Sequence, residues 1–290
     1  MRDNKLYKKI PKTDGISEYY TDYDAMLKAD LDTLYIALPN HLHFSFAEQA
    51  LLANKHIILE KPITANSKQF HHLRALAKQK KKILIEAVTV HYLPAYRQLK
   101  QHIKRLGDIK IVSLNYSQYS SRYDRFKTGE TPSVFDPKQS GGALMDLNVY
   151  NLHFAVGLFG KPLSCHYSAN IERHIDTSGI LLLGFPNFQA VCIGAKDCQA
   201  PIVLSIQGDK GSITVPMPAN SMDCFSVHLN SGTNEQYYLK ISHRMLPEFE
   251  HFVQIIDQQD YSTVEKMLDI SENVIEILDL ARRQQGILVN

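Results

Sequence analysis

The first third of the chain alternates two kinds of hydrophobic spacing. Short apolar runs (TLYIAL at 33–38, HIIL at 56–59, KILIEAVTV at 82–90) are separated by stretches whose apolar residues recur every three or four positions. FSFAEQALLANK (44–55) puts Ala47, Ala50 and Leu51 on one stripe, and the segment after Asn66-Ser67 does so with Phe70, Leu73, Leu76 and Ala77. Asn66 or Ser67 is a suitable cap for that second helix. Strand, helix, strand, helix, strand with short apolar strands predicts a parallel sheet covered on both faces. Ligands of such sheets bind beyond the carboxyl ends of the strands. Pro39-Asn40, Glu60-Lys61 and the stretch near His91 all fall there.

After Pro94 the pattern changes. LPAYRQLKQHI reads as a helix with Leu93, Tyr96, Leu99 and Ile103 along one stripe, residues 108–120 as a long strand, and 142–159 as a helix introduced by Gly141-Gly142. Between 162 and 243 at least five strand-like runs follow one another without helices, punctuated by turns such as Gly208-Asp209-Lys210-Gly211. That succession predicts a mostly antiparallel sheet. Two helices, near 245–258 and 263–284, close the chain. The expected fold is a parallel α/β part over residues 1–94, then an α+β part over 95–290 dominated by one antiparallel sheet.

Composition narrows the function classes. Lys and Arg number 32 against 30 Asp and Glu, a net charge of +2, so neither nucleic acid nor an anionic membrane is the expected partner. The run KQKKK (78–82) reads as a solvated helix end feeding a strand. The four cysteines have no CxxC spacing, which fits free thiols in a reducing cytosol, and no run reaches the length of a membrane span. A cytoplasmic protein is expected.

Two stretches carry candidate chemistry. In HIILEKPIT (56–64) a buried strand runs directly into Glu60, Lys61 and Pro62. On helix 142–159, Asp146, Tyr150 and His153 are spaced i, i+4 and i+3, so a carboxylate, a phenol and an imidazole can share one face. By themselves these three also fit an ordinary helix with a solvated acid and two core-edge side chains.

HIILEKPIT, the earlier ALPNHLHF and the later GGALMDLNVYNLHF occur together, in this order, in one family. The chain resembles the glucose–fructose oxidoreductase / inositol dehydrogenase (Gfo/Idh/MocA) family of NAD(P)-dependent sugar and polyol dehydrogenases, and most of all its dimeric dihydrodiol (D-xylose) dehydrogenase branch. The likeness runs from about Glu18 to ARRQQGI. It implies a Rossmann-type cofactor domain and NAD or NADP as cofactor. It also implies a sugar, polyol or cyclic diol substrate, and a homodimer through the C-terminal sheet. Lys61 matches the lysine that reaches the substrate hydroxyl beside the nicotinamide, and Glu60 the glutamate that helps fix that lysine and the cofactor. The Lys-Pro bond is expected to be cis. Asp146 and Tyr150 match the family's aspartate and proton-transferring residue, with His153 as a substrate contact. Pro39, Asn40 and His43 match a loop along the cofactor, and Glu86 joins the cofactor set. A tyrosine, with a pKa near ~10, is a poor base at neutral pH, and a nearby ammonium favours its phenolate.

One departure is large. Gly15 is the only glycine before residue 100, and no GxGxxG occurs anywhere in the chain. Aligned by its motifs, the sequence starts inside the cofactor domain, without the first strand, the phosphate-binding turn or the residue that selects NAD or NADP. Such a truncated domain is expected to leave a sheet edge uncovered and to weaken cofactor binding. Smaller departures are Asn148, where the family often has glycine, and His91, where it often has arginine. A competing reading is a non-catalytic relative that keeps the cleft as a binding or regulatory module. A metal-dependent hydrolase using His41, His43 and Asp146 is disfavoured, because no third ligand is in view on the HLH segment.

Overall fold

The computed structural model describes residues 18–287; the expected 1–94 and 95–290 parts begin and end on stretches outside them. After a short helix, α1 (Tyr23–Leu27), three parallel strands alternate with two helices: β1 (Thr33–Ile36), α2 (His43–Leu52), β2 (His56–Glu60), α3 (Ser67–Lys80) and β3 (Leu84–Ala87). β2 and β3 are buried on both faces, which is why their sequences are continuous Ile/Leu runs. Asn66 caps α3 by accepting from the Gln69 amide at 2.9 Å, and Lys81 ends it in the left-handed region at φ 53°. Among the described residues β1 pairs with β2 alone, so its other edge has no strand partner.

Pro94 opens α4 (Pro94–His102) at a position where its missing N–H costs nothing. An eight-stranded sheet follows, ordered β11-β10-β9-β8-β4-β7-β6-β5. Its members are β4 (Ile109–Ser117), β5 (Ser164–Glu172), β6 (Ile175–Gly184), β7 (Gln189–Ala195), β8 (Leu204–Gly208), β9 (Gly211–Val215), β10 (Cys224–Leu229) and β11 (Asn234–Tyr238). All neighbours are antiparallel except β4 and β7. Between β4 and β5 lie α5 (Tyr123–Lys127) and the long helix, and α7 (Leu246–Gln258) and α8 (Tyr261–Gln284) complete the chain.

Two features depart from the sequence reading. The stretch 82–90 is not one strand: β3 stops at Ala87 and Thr89–Tyr92 forms a 3-10 turn. The helix expected over 142–159 starts with a π-helical turn, Leu144–Asn148, before α6 (Val149–Phe159). Helix α8 packs on β3 and α3 as well as on α6 and β5, so the last helix ties the two sheets together.

Candidate active site

The parallel strands deliver their carboxyl ends to one place. Lys61 leaves β2 there, followed by Pro62 across a cis peptide bond, as expected. Pro39 and Asn40 leave β1, and the Asn40 side-chain amide donates to the Ser140 carbonyl at 2.9 Å, tying that loop to the segment before the π turn. From residue 141 to 156 every residue is buried except Asp146 and Tyr150, the two the helix presents to the cleft. A π turn adds a residue to one helical turn, a distortion often found at functional sites.

Two anchors seat this helix. The Asp176 carboxylate accepts from the Leu144 amide at 2.7 Å and from the Tyr167 hydroxyl at 2.8 Å. Below, Asn148 donates to the Cys192 carbonyl and Asn151 to that of Ile193, each at 3.0 Å. A Cβ on Gly194 would lie 2.8 Å from the Asn148 Cβ, so β7 needs glycine where Asn148 packs against it.

Lys61, Asp146 and Tyr150 meet in the cleft. Lys61 Nζ donates to the Asp146 carbonyl at 2.9 Å and to its carboxylate at 3.2 Å, and stands 4.5 Å from the centroid of the Tyr150 ring. Burial works against the Lys61 ammonium, but Tyr150 and Asp146 outweigh it and shift its pKa upward. Burial likewise disfavours the Asp146 carboxylate. Lys61 and a second lysine, Lys196, reverse that effect and hold the carboxyl well below its usual range. Lys196 follows β7, is 4% exposed, and forms an ion pair with the other Asp146 oxygen. No motif flagged Lys196; its signal was a lysine directly after a buried strand, the same signal that marked Lys61.

Glu60 accepts from the Tyr35 hydroxyl and from the Lys61 amide, the latter at 3.2 Å. Three expected ligand contacts lie instead behind the cleft. His43 is fully buried, with its ring nitrogens 2.9 Å from the Pro62 carbonyl and 2.7 Å from that of Leu38. Burial lowers its pKa, and those carbonyls offset this only in part. Both nitrogens are taken, which also removes His43 from any metal set. Glu86 and His153 are buried and face one another at 3.5 Å. The i+3 spacing from Tyr150 turns His153 inward rather than into the cleft.

A cavity of about 140 Å³ is lined by Pro39, Asn40, Val134, Gln139, Gly141 and Asp146. Pockets that enclose a whole drug-sized ligand are ~300–1,000 Å³, so this one suits the reacting end of a ligand and not a whole dinucleotide. Asn40 and Gln139 give its wall side-chain amides, and Asp146, on that wall, is the residue through which it adjoins Lys61. Among the described residues no glycine-rich turn is present to receive a pyrophosphate.

Comparison with known proteins identifies the family and the fold. Residues 2–88 match the model of an oxidoreductase family with an NAD-binding Rossmann fold, and residues 96–214 match the GFO/IDH/MocA C-terminal domain. The chain is 30% identical over 272 residues to scyllo-inositol 2-dehydrogenase (NADP(+)) of Bacillus subtilis, covering 93% of this chain and 83% of that protein. It is 24% identical to trans-1,2-dihydrobenzene-1,2-diol dehydrogenase of Xenopus tropicalis, covering 99% and 88%. A solved 3-ketoreductase from Actinomadura kijaniata, with NADP and TDP-benzene, superposes with a TM-score of 0.77 at 22% identity over 90% of this chain and 81% of its own. The chain is a member of the Gfo/Idh/MocA family of NAD(P)-dependent oxidoreductases.

Proposed function

We propose that this chain transfers a hydride between a nicotinamide cofactor and a carbon bearing a hydroxyl on a sugar, polyol or cyclic diol. The observation that carries the reading is the Lys61 ammonium held between the Asp146 carboxylate and the Tyr150 ring, at the carboxyl end of a parallel strand. Bound nicotinamide supplies the hydride acceptor, or the donor in reverse. The protein handles the proton. Tyr150 takes it from the substrate hydroxyl, and the Lys61 ammonium stabilises the negative charge that develops on oxygen. Asp146 keeps Lys61 charged and aimed, and Lys196 keeps Asp146 ionised. Pro39 and Asn40 line the reacting end, and Glu60 steadies Lys61 from the strand side. Residues 1–94 form the cofactor part and 95–290 the substrate part, with α8 bridging them.

A homodimer through the large sheet is part of the reading. Ile180 and Leu182 are 50% and 45% exposed on its outer face, in register with Ile193 and Val191 on the next strand. An apolar patch of that kind is a usual protein contact. All four cysteines are free, which supports a reducing compartment such as the cytoplasm. Among the described residues no helix is long and apolar enough to cross a membrane.

The test is a panel of inositols, aldoses and cyclic diols with NAD or NADP, followed by the absorbance of reduced nicotinamide. Turnover of at least one polyol is expected. Cofactor binding without turnover of any member would favour the non-catalytic alternative.

A further inference from the structure

A strand buried on both faces in a parallel sheet ordinarily carries Val, Ile or Leu. β3 instead places Glu86 there, 5% exposed, and an ionisable group at such a position needs partners. Its partners come from the two elements that bear Lys61 and Tyr150. Glu86 Oε1 accepts the Ile63 backbone N–H at 2.9 Å, two residues past Lys61. Glu86 Oε2 lies 3.5 Å from His153 Nε2, three residues past Tyr150. His153 Nδ1 is in turn 3.0 Å from His91 Nε2.

The chain of contacts has a direction. Burial, with His153 and Lys100 adding to it, pushes the His91 pKa well below its ordinary value. A neutral His91 that donates from Nε2 makes His153 Nδ1 the acceptor, which leaves the His153 proton on Nε2 and aimed at Glu86. A carboxylate can only accept, so a proton on His153 Nε2 is common to this neutral ordering and to a His153 imidazolium that donates to both Glu86 and His91. Gly157 admits His91 to the helix surface, since a Cβ there would lie 2.8 Å from the His91 Cε1.

We propose that Glu86 is a positioning residue. Its single carboxylate brackets the Lys61 loop and the Tyr150 helix, and so sets how the ammonium stands over the phenol ring. This rests on the roles given to Lys61 and Tyr150 above. The His91–His153 pair completes the brace by fixing the proton that faces Glu86.

Glu86→Gln tests it, because the amide keeps the size of the side chain and an oxygen for Ile63 but offers N–H groups to His153. The expected result is loss of the proton from His153 Nε2, leaving the Nδ1–H tautomer, read from histidine ring shifts by NMR. Turnover should fall by about tenfold to a hundredfold, as small misplacements of reacting groups do, with KM and cofactor affinity within about twofold. A tautomer switch with unchanged kcat would overturn the positioning role, and an unchanged tautomer would overturn the brace itself. A wild-type chain without turnover would instead fail the functional reading. The brace is then judged by the reactivity of Lys61 toward reductive methylation, which should rise in Glu86→Gln and which, if unchanged, overturns it.

Discussion

Lys61 and Asp146 come from the two different sheets' territories, 85 residues apart in sequence, and meet with Nζ 3.2 Å from the carboxylate. The pair is one contact between the end of a parallel strand and a helix that rests on the large sheet. Any loosening between these parts therefore strains this contact.

Tyr150→Phe should lower turnover by about 10²–10⁴-fold, the usual worth of a positioned proton-transfer group. Cofactor affinity should stay within about twofold, because the ring and its contact with Lys61 survive. Steady-state kinetics with a nicotinamide fluorescence titration separates the two effects. Unchanged turnover would remove Tyr150 from the proton path.

Asp146→Asn leaves Lys61 and Lys196 facing each other without a counter-ion. Removing one partner of a buried pair costs about 3–5 kcal/mol, and the lower end applies here because the Asp146 side chain is 32% exposed. Urea unfolding measures this. Asp146 has a depressed pKa, so its contribution is present above the ordinary carboxylate range and is lost as pH falls into acid. The gap between wild type and Asp146→Asn should therefore begin to narrow as pH falls below about 4, and close only further into acid, beneath the depressed pKa of the folded state.

Glu248, at the start of α7, shows the opposite sign. Burial first, and then the charge of Glu60, push its carboxyl up to about 8. The folded state then holds a proton that the unfolded chain, with a Glu pKa near ~4.3, has released. Its contribution to stability is complete below that lower value and is lost as pH rises through about 8. Between about pH 6.5 and 8 the stability difference between wild type and Glu248→Gln should change by up to about 1.4 kcal/mol per pH unit, always against the wild type as pH rises. Parallel curves would show that Glu248 is ionised in the native state.

Much of this was legible in the chain, and the illegible parts share a cause. HIIL, with its buried β-branched residues, could only be an inner strand, and its sharp stop at Glu60-Lys61-Pro62 marked the cleft. Tyr150 and Asp146 were readable from helical spacing and from likeness to a family. His153 was misplaced because the same spacing that shares a face with Tyr150 does not say which side of that face is buried. Only the packing of Glu86 and His91 against the helix decides it. Lys196 stands directly after a buried strand as Lys61 does, but without a family motif around it, while Glu248 was missed because no local pattern encodes its approach to Glu60. The π turn escaped for a similar reason: its contacts, the Asp176 carboxylate on the Leu144 amide and the Gly194 backbone against Asn148, come from distant strands.

The outer face of the large sheet offers a separate test. Introducing Ile180→Lys and Leu182→Lys together should convert a dimer to a monomer in sedimentation velocity, because both side chains sit in the middle of the apolar patch. A chain that is monomeric before the change would remove the dimer from the reading.

The most direct measurement is a titration of the purified 290-residue chain with NADPH and with NADH, followed by nicotinamide fluorescence. In the proposed arrangement the reacting end of the cofactor meets Asn40, Lys61 and Tyr150, while no GxGxxG turn that would grip the pyrophosphate occurs in these 290 residues. Binding is therefore expected, and weaker than a complete dinucleotide fold gives, with a Kd between about 10 μM and 1 mM. No binding of either cofactor at concentrations up to about 10 mM would contradict hydride transfer by this chain.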